Sequence, residues 1–177
     1  EDYERMAQMV GDMLYLAQAD NGLLKPGLEE VNLANETQNL FDYFEAWAGE
    51  RGVSLAQTGS ATVPGDRLML RRALSNLISN AIQHTPPGQT VYVFLARHGG
   101  QATVSVENPG TDIPAEHLPR LFDRFYRVDP SRQRKGDGAG LGLSIVKSIV
   151  DAHGGSITVM SADQTTRFQL TLPALEK

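Results

Sequence analysis

The sequence predicts an α+β fold, a layer of helices on a mixed sheet, because its helical and strand-like runs fall in separate stretches. Apolar residues recur at helical spacing over 2–19, 66–84 and 140–153. Alternating runs come in neighbouring pairs, 90–97 with 102–107 and 156–160 with 166–172, each reading as a hairpin.

Taken in order, residues 2–19 place Met6, Met9, Val10, Met13, Leu14, Leu16 and Ala17 on one wide stripe that calls for a partner surface. "DNGLLKPG" breaks the pattern and sets a boundary near 20–27. A short strand is expected over 28–33, then a helix over 36–51 carrying Leu40, Phe44 and Trp47. Short strands follow at 53–56 and 61–63. Asp66 can cap the helix over 66–84, which "PPG" at 86–88 ends. Residues 114–121 predict a short helix with Pro114 in its first turn. The polar stretch 128–139 has no periodicity, and Gly154-Gly155 closes the last helix.

A chain of 177 residues is long enough to bury a core of its own. Its net charge of −5 argues against a nucleic-acid-binding surface. With no cysteine there is neither a disulfide nor a thiolate metal site. No apolar run reaches 18 residues and no signal peptide is present. The chain starts at Glu1 without a methionine, so it reads as a piece of a longer protein, with any membrane anchor elsewhere.

Four stretches carry chemistry. "GDGAGLGLSIVK" at 136–147 crowds glycines into a helix start, where each costs up to ~1 kcal/mol relative to alanine. Bare backbone there suits a phosphate, since a helix N-terminus offers free N–H donors and partial positive charge. On the helix over 66–84, Leu70, Ala73, Leu74, Leu77, Ile78 and Ala81 form a core face, and Asn76, Asn80 and His84 make a stripe beside it. Those amides either bond backbone or each other, or serve a polar ligand such as Mg²⁺, which favours oxygen donors. "VENPGTDIP" at 106–114 is a tight turn after a strand. "LFDRFYRVDPSRQRK" is either a solvated basic face or, with Phe122, Phe125 and Tyr126 as anchors, the root of a lid.

In this order the stretches resemble the N box ("LSNLISNAIQHTP"), G1 box ("ENPGTDIP"), F box ("LFDRFYRVD") and G2 box ("GDGAGLGL") of the sensor histidine kinases. The resemblance covers about residues 28–173, and the wording from His117 to Val150 is closest to the heavy-metal sensors that respond to copper or silver. It implies a two-layer α/β sandwich of the Bergerat type, ATP and Mg²⁺ as cofactors, and protein-histidine kinase activity in the whole protein. Residues 1–24 would be the end of a dimerisation helix and linker, and 25–177 the catalytic and ATP-binding domain.

By resemblance Asn80 would ligate Mg²⁺, His84 would lie against adenine, and Gly138, Gly140, Leu141 and Gly142 would bring backbone N–H groups to the phosphates. Arg127 would meet the γ-phosphate and offset developing charge. Asn76 stands where ATPase relatives carry a glutamate. An amide cannot take a proton from water, which favours transfer to an external acceptor over hydrolysis. Asn108 and Gly110 belong to the G1 box, where Asn108 replaces the adenine-binding aspartate and Asp112, a residue that tolerates positive φ better than most, replaces a glycine; in the N box Gln83 replaces a lysine. None of His84, His98, His117 and His153 has the neighbours of the family's phosphoacceptor, so the acceptor belongs to a dimerisation domain outside this chain. The implied partners are that domain in a homodimer and a response regulator, and the implied location is the cytoplasmic portion of a bacterial inner-membrane protein. The competing readings are an ATP-free scaffold that docks a response regulator and an anti-sigma-type serine kinase.

Overall fold

The computed structural model describes residues 1–128 and 140–174. In chain order the elements are α1 (Asp2–Asp20), β1 (Glu29–Asn32), α2 (Leu33–Glu50), β2 (Ser54–Thr58), β3 (Thr62–Gly65), α3 (Arg67–His84), β4 (Thr90–His98), β5 (Gln101–Pro109), α4 (Gly142–Ala152), β6 (Ser156–Ala162) and β7 (Thr165–Pro173). The main sheet runs β2-β4-β5-β7-β6, and it is mixed because β2 lies parallel to β4 while the other neighbours are antiparallel. Both expected hairpins are present. The two short strands between α2 and α3 part company: β2 joins the main sheet, and β3 pairs antiparallel with β1 in a separate ribbon.

Alternation decides which face of the sheet is covered. Val91, Val93 and Leu95 of β4, Ala102, Val104 and Val106 of β5, and Phe168, Leu170 and Leu172 of β7 are buried. Against them lie Leu70, Ala73, Leu74, Leu77, Ile78 and Ala81 of α3 and Ile145, Val146, Ile149 and Val150 of α4. Each large side chain so buried contributes about 1.5–3 kcal/mol, so this layer contact outweighs any single cap. The opposite face carries the stacked Tyr92–Phe94 pair, 5.8 Å apart, and the Arg167–Glu107 ion pair at 2.7 Å. The result is a two-layer α/β sandwich.

Helix boundaries follow their caps. Asp66 accepts from the Met69 N–H at 3.1 Å, as its position suggests. α2 starts three residues before the expected 36, because Asn32, the last residue of β1, also caps the helix, its side chain accepting from the Asn35 N–H at 3.1 Å. Over 114–121 only a 3-10 turn forms, at Leu118–Arg120. Pro119 is the reason: it has no N–H to give and its ring collides with a preceding helical turn.

α1 is one continuous helix whose Leu16 is buried with the core while Met6, Val10, Met13 and Leu14 remain exposed. Arg72 of α3 holds it, pairing with Asp12 at 2.8 Å and lying 4.1 Å from the Tyr15 ring centre. The same stripe therefore divides into a docked edge and an open one. No helix among the described residues is long and apolar enough to cross a membrane.

Candidate functional site

α3 and α4 pack side by side under the sheet, and their polar edges meet at one contact. Asn76 Nδ2 donates to the Gly142 carbonyl at 3.2 Å. Asn80, one turn further along α3, is half-buried, and its amide has no hydrogen-bonding partner among the described residues. His84 follows at the end of α3 with its side chain exposed. The amide stripe and the glycine-led helix start are thus adjacent in space.

The start of α4 differs from those of α2 and α3. Asn32 and Asp66 cap the latter two, whereas Leu141 at the head of α4 offers no side-chain cap. Ser144 cannot help, because its hydroxyl donates backward to the Leu141 carbonyl at 2.7 Å. Among the described residues no side chain caps the first N–H groups of this helix, which lie beside Asn76. The Leu141 side chain is itself in the core, so Leu141 can offer a ligand only its backbone.

The glycines have separate reasons to be bare. Gly140 has φ +79, and a Cβ there would come within 3.0 Å of the Phe125 carbonyl carbon. Its freedom serves the packing of the F-box segment, a use that glycine counting alone does not reveal. Among the described residues a Cβ on Gly142 would meet nothing nearer than Asn76 Cγ at 3.8 Å, so these residues leave room there. Gly138 lies outside the described residues.

At the far end of α3 the G1 turn closes against the helix. A Cβ on Gly110 would sit 2.8 Å from the His84 carbonyl oxygen, so glycine is required for the turn to reach α3. Asn108 is buried, and its Nδ2 is committed to the Pro109 carbonyl at 3.0 Å. That orientation reserves its Oδ1 as an acceptor. Asp112 does not take up a positive φ, contrary to the expectation for this position. Its Oδ1 accepts from the Gln164 N–H at 2.7 Å, and the Gly110 N–H donates to the Gln164 carbonyl at 3.0 Å. The positive-φ pair is instead Asp163 and Gln164, at the tip of the β6–β7 hairpin.

The F-box segment is anchored by buried Leu121 and by Phe122, whose ring meets Phe168 edge-on at 6.1 Å. Phe125 is exposed at φ 62, and Arg127 is half-buried. Most of the basic run beyond it lies outside the described residues. A cavity of about 180 Å³ lined by Tyr92, Glu107, Pro109 and Thr165 opens on the other face of the sheet and shares Pro109 with the G1 turn.

Residues 65–176 match the family model described as histidine kinase-, DNA gyrase B- and HSP90-like ATPase. The chain belongs to this ATPase family. It is 59% identical over 175 residues to the sensor histidine kinase CusS of Escherichia coli strain K12, covering 98% of this chain and 36% of that protein. It is 49% identical over 184 residues to the probable sensor kinase SilS of Salmonella typhimurium, covering 100% of this chain and 37% of that protein. The chain therefore spans a little over a third of the length of these relatives. Among solved structures, full-length ShkA in complex with AMPPNP is 25% identical with a TM-score of 0.85, covering 97% of this chain and 36% of that one. In this family member, the contact of α3 with the start of α4 and the closure of the G1 turn on α3 bring the N, G1 and G2 stretches together.

Proposed function

We propose that this chain is the ATP-binding catalytic domain of a heavy-metal sensor histidine kinase, with residues 1–24 the end of a dimerisation helix and linker and 25–177 the catalytic domain. The whole protein passes the ATP γ-phosphoryl group to a histidine on its dimerisation domain, and from there to an aspartate of a response regulator. The likeness to CusS and SilS supports a copper or silver response and an inner-membrane protein whose kinase portion is cytoplasmic.

The observation that carries this reading is the Asn76–Gly142 contact, which sets an amide-bearing helix face beside an uncapped helix start. These residues fit Mg-ATP. The α4 N–H groups from Leu141 and Gly142 onward would receive phosphate oxygens. The Asn80 amide oxygen, without a hydrogen-bonding partner among the described residues, would hold Mg²⁺, a cation that takes few protein ligands and leaves other positions to phosphate oxygens and water. Asn108 Oδ1 accepts from the adenine amino group, Gly110 lets the turn close, and His84 flanks the base. Bound Mg-ATP supplies the phosphoryl group. Asn76 is an amide already donating to Gly142, so it cannot act as a base toward water, and the site favours an external acceptor. Arg127 offsets charge on the γ-phosphate.

The departures from the family pattern at Asn108, Asp112 and Gln83 are what speaks for the ATP-free scaffold. Asp112 loses its force as an objection, because its carboxylate is used to hold the G1 turn. Thermal unfolding with increasing Mg-ATP tests the proposal: at 100 times the dissociation constant, binding adds about 2.7 kcal/mol. A flat response to millimolar nucleotide would return the scaffold reading. Label from ATP appearing on the histidine of an added dimerisation domain would distinguish the histidine kinase from a serine kinase.

A further inference from the structure

His117 stands outside every box, yet it reaches the segment that carries Arg127. Its Nδ1 is hydrogen-bonded to the Tyr126 hydroxyl, and its ring tilts toward the Tyr126 ring with centroids 5.8 Å apart. On the other side, His117 Nε2 lies 3.4 Å from the Glu116 carboxylate, so in the tautomer that carries its proton on Nε2 the Nδ1 accepts from the hydroxyl. The Arg120 guanidinium covers the Tyr126 ring at 4.7 Å and pairs with Asp123 at 3.4 Å. From the opposite side, the Phe125 N–H donates to the Gly140 carbonyl at 3.1 Å, and the space a Gly140 Cβ would need is filled by Phe125 and Tyr126 backbone. The peptide leading into Arg127 is therefore gripped twice: by Gly140 through its backbone, and by His117 through the phenol.

We infer that His117 is a positioning residue for phosphoryl transfer: by holding Tyr126 it fixes the backbone from which Arg127 reaches the γ-phosphate. This rests on the role proposed above for Arg127. A misplacement of about 1 Å in such a group is enough to slow a reaction by up to roughly a hundredfold while leaving the bulk of substrate binding intact. The base and metal contacts of the nucleotide lie on α3 and the G1 turn, so ATP affinity is not expected to follow.

The test is transfer of label from Mg-ATP to the histidine of an added dimerisation domain, measured at saturating and half-saturating ATP. His117→Ala and Tyr126→Phe should each slow transfer roughly tenfold at saturation, with the half-saturating ATP concentration within about twofold of the parent. Tyr126→Phe keeps the ring under Arg120 and loses only the hydroxyl, so it remains informative if the alanine variant unfolds. His117→Asn, whose amide oxygen stands near the place of Nδ1, should recover most of the rate. Four results overturn the inference. Arg127→Ala slow with both His117→Ala and Tyr126→Phe at the parent rate removes the role of His117 and leaves that of Arg127. Arg127→Ala at the parent rate removes the reading of Arg127 and this inference with it. Asn as slow as Ala at position 117, or half-saturation rising in step with the rate loss, marks general loosening instead of positioning.

Discussion

Phe125 and Gly140 interlock: the Phe125 N–H donates to the Gly140 carbonyl at 3.1 Å, and the Phe125 Cα lies 3.1 Å from where a Gly140 Cβ would stand. Gly142, two residues on, has ordinary room around its own Cβ position. The two glycines should therefore respond oppositely to alanine. Gly140→Ala combines φ +79 with a clash against backbone, and should lower unfolding free energy by at least about 1 kcal/mol. Gly142→Ala should leave stability unchanged or raise it slightly, since alanine favours helix. Its Mg-ATP stabilisation should nevertheless be lost or weakened, because the methyl group occupies the approach to the α4 N–H groups. Urea unfolding with and without nucleotide separates the two effects. Undiminished nucleotide stabilisation in Gly142→Ala would remove the phosphate role given to that backbone.

Asn80 offers a cleaner test of the metal assignment than Asn76 does. Asn76 is tied to Gly142, so replacing it disturbs the α3–α4 contact as well as the site. Asn80 has no hydrogen-bonding partner among the described residues and is half-buried, so Asn80→Asp should keep the parent's thermal midpoint within a few degrees. Titration of ATP binding against Mg²⁺ should shift, because a carboxylate replaces a neutral oxygen donor. A variant that follows the parent's Mg²⁺ dependence would place the cation elsewhere.

Asp66 joins the α1 linker to the head of α3. Its carboxylate accepts from the Gly27 N–H and the Met69 N–H, both at 3.1 Å, while His153 Nε2 accepts from its own N–H at 3.1 Å. Partial burial pushes the carboxyl pKa upward. The backbone N–H groups of Gly27, Met69 and Leu68, with the His153 ring nearby, outweigh that and hold it below the usual 3.8. A carboxyl whose folded pKa is depressed contributes stability that is complete above its unfolded value and is lost as pH falls through the folded one. The thermal midpoint should therefore fall on acidification below about pH 4, more steeply in the parent than in Asp66→Asn. Equal slopes from about pH 6 to about pH 2.5 would count against this role.

How much of this was legible beforehand depended on whether a signal was periodic or long-range. The core face of α3 and both hairpins could be read because burial repeats at helical or alternating spacing over many residues. The pairing of β1 with β3 and of β2 with β4 has no such repeat, since the partners are chosen by packing across the chain. The α2 boundary turned on one side chain, Asn32, which in a strand-like context carries no mark that it will cap. In the site, helical spacing put Asn76 and Asn80 on one face, and the family resemblance placed that face near the glycine run. Gly140 was ambiguous in principle, because a bare backbone serves a ligand or a crossing chain segment equally well. The links His117–Tyr126 and Asp112–Gln164 join residues that no local pattern connects.

Asp112 provides the last prediction, because the resemblance and the structure give it opposite values. Where the family has glycine, an aspartate looks like damage to the nucleotide pocket. In the fold it is a fastener: its carboxylate holds the Gln164 N–H at 2.7 Å, the Gly110 N–H holds the Gln164 carbonyl at 3.0 Å, and the Ile113 N–H reaches Ser161 Oγ at 2.8 Å. The hairpin tip and the G1 turn thus share three hydrogen bonds, with Gly110 between them and α3. Restoring the family residue, Asp112→Gly, removes one bond and adds backbone freedom, so it should weaken ATP and ADP binding alike, by several-fold, and cost about 1 kcal/mol of stability. Asp112→Asn keeps an acceptor oxygen and should fall between the two. Equal losses for ATP and ADP are expected because the proposed binding mode puts this turn at the base end of the nucleotide, away from the γ-phosphate. Calorimetric titration of the three chains with both nucleotides decides it: tighter binding by Asp112→Gly would mean that the carboxylate obstructs the pocket instead of bracing it.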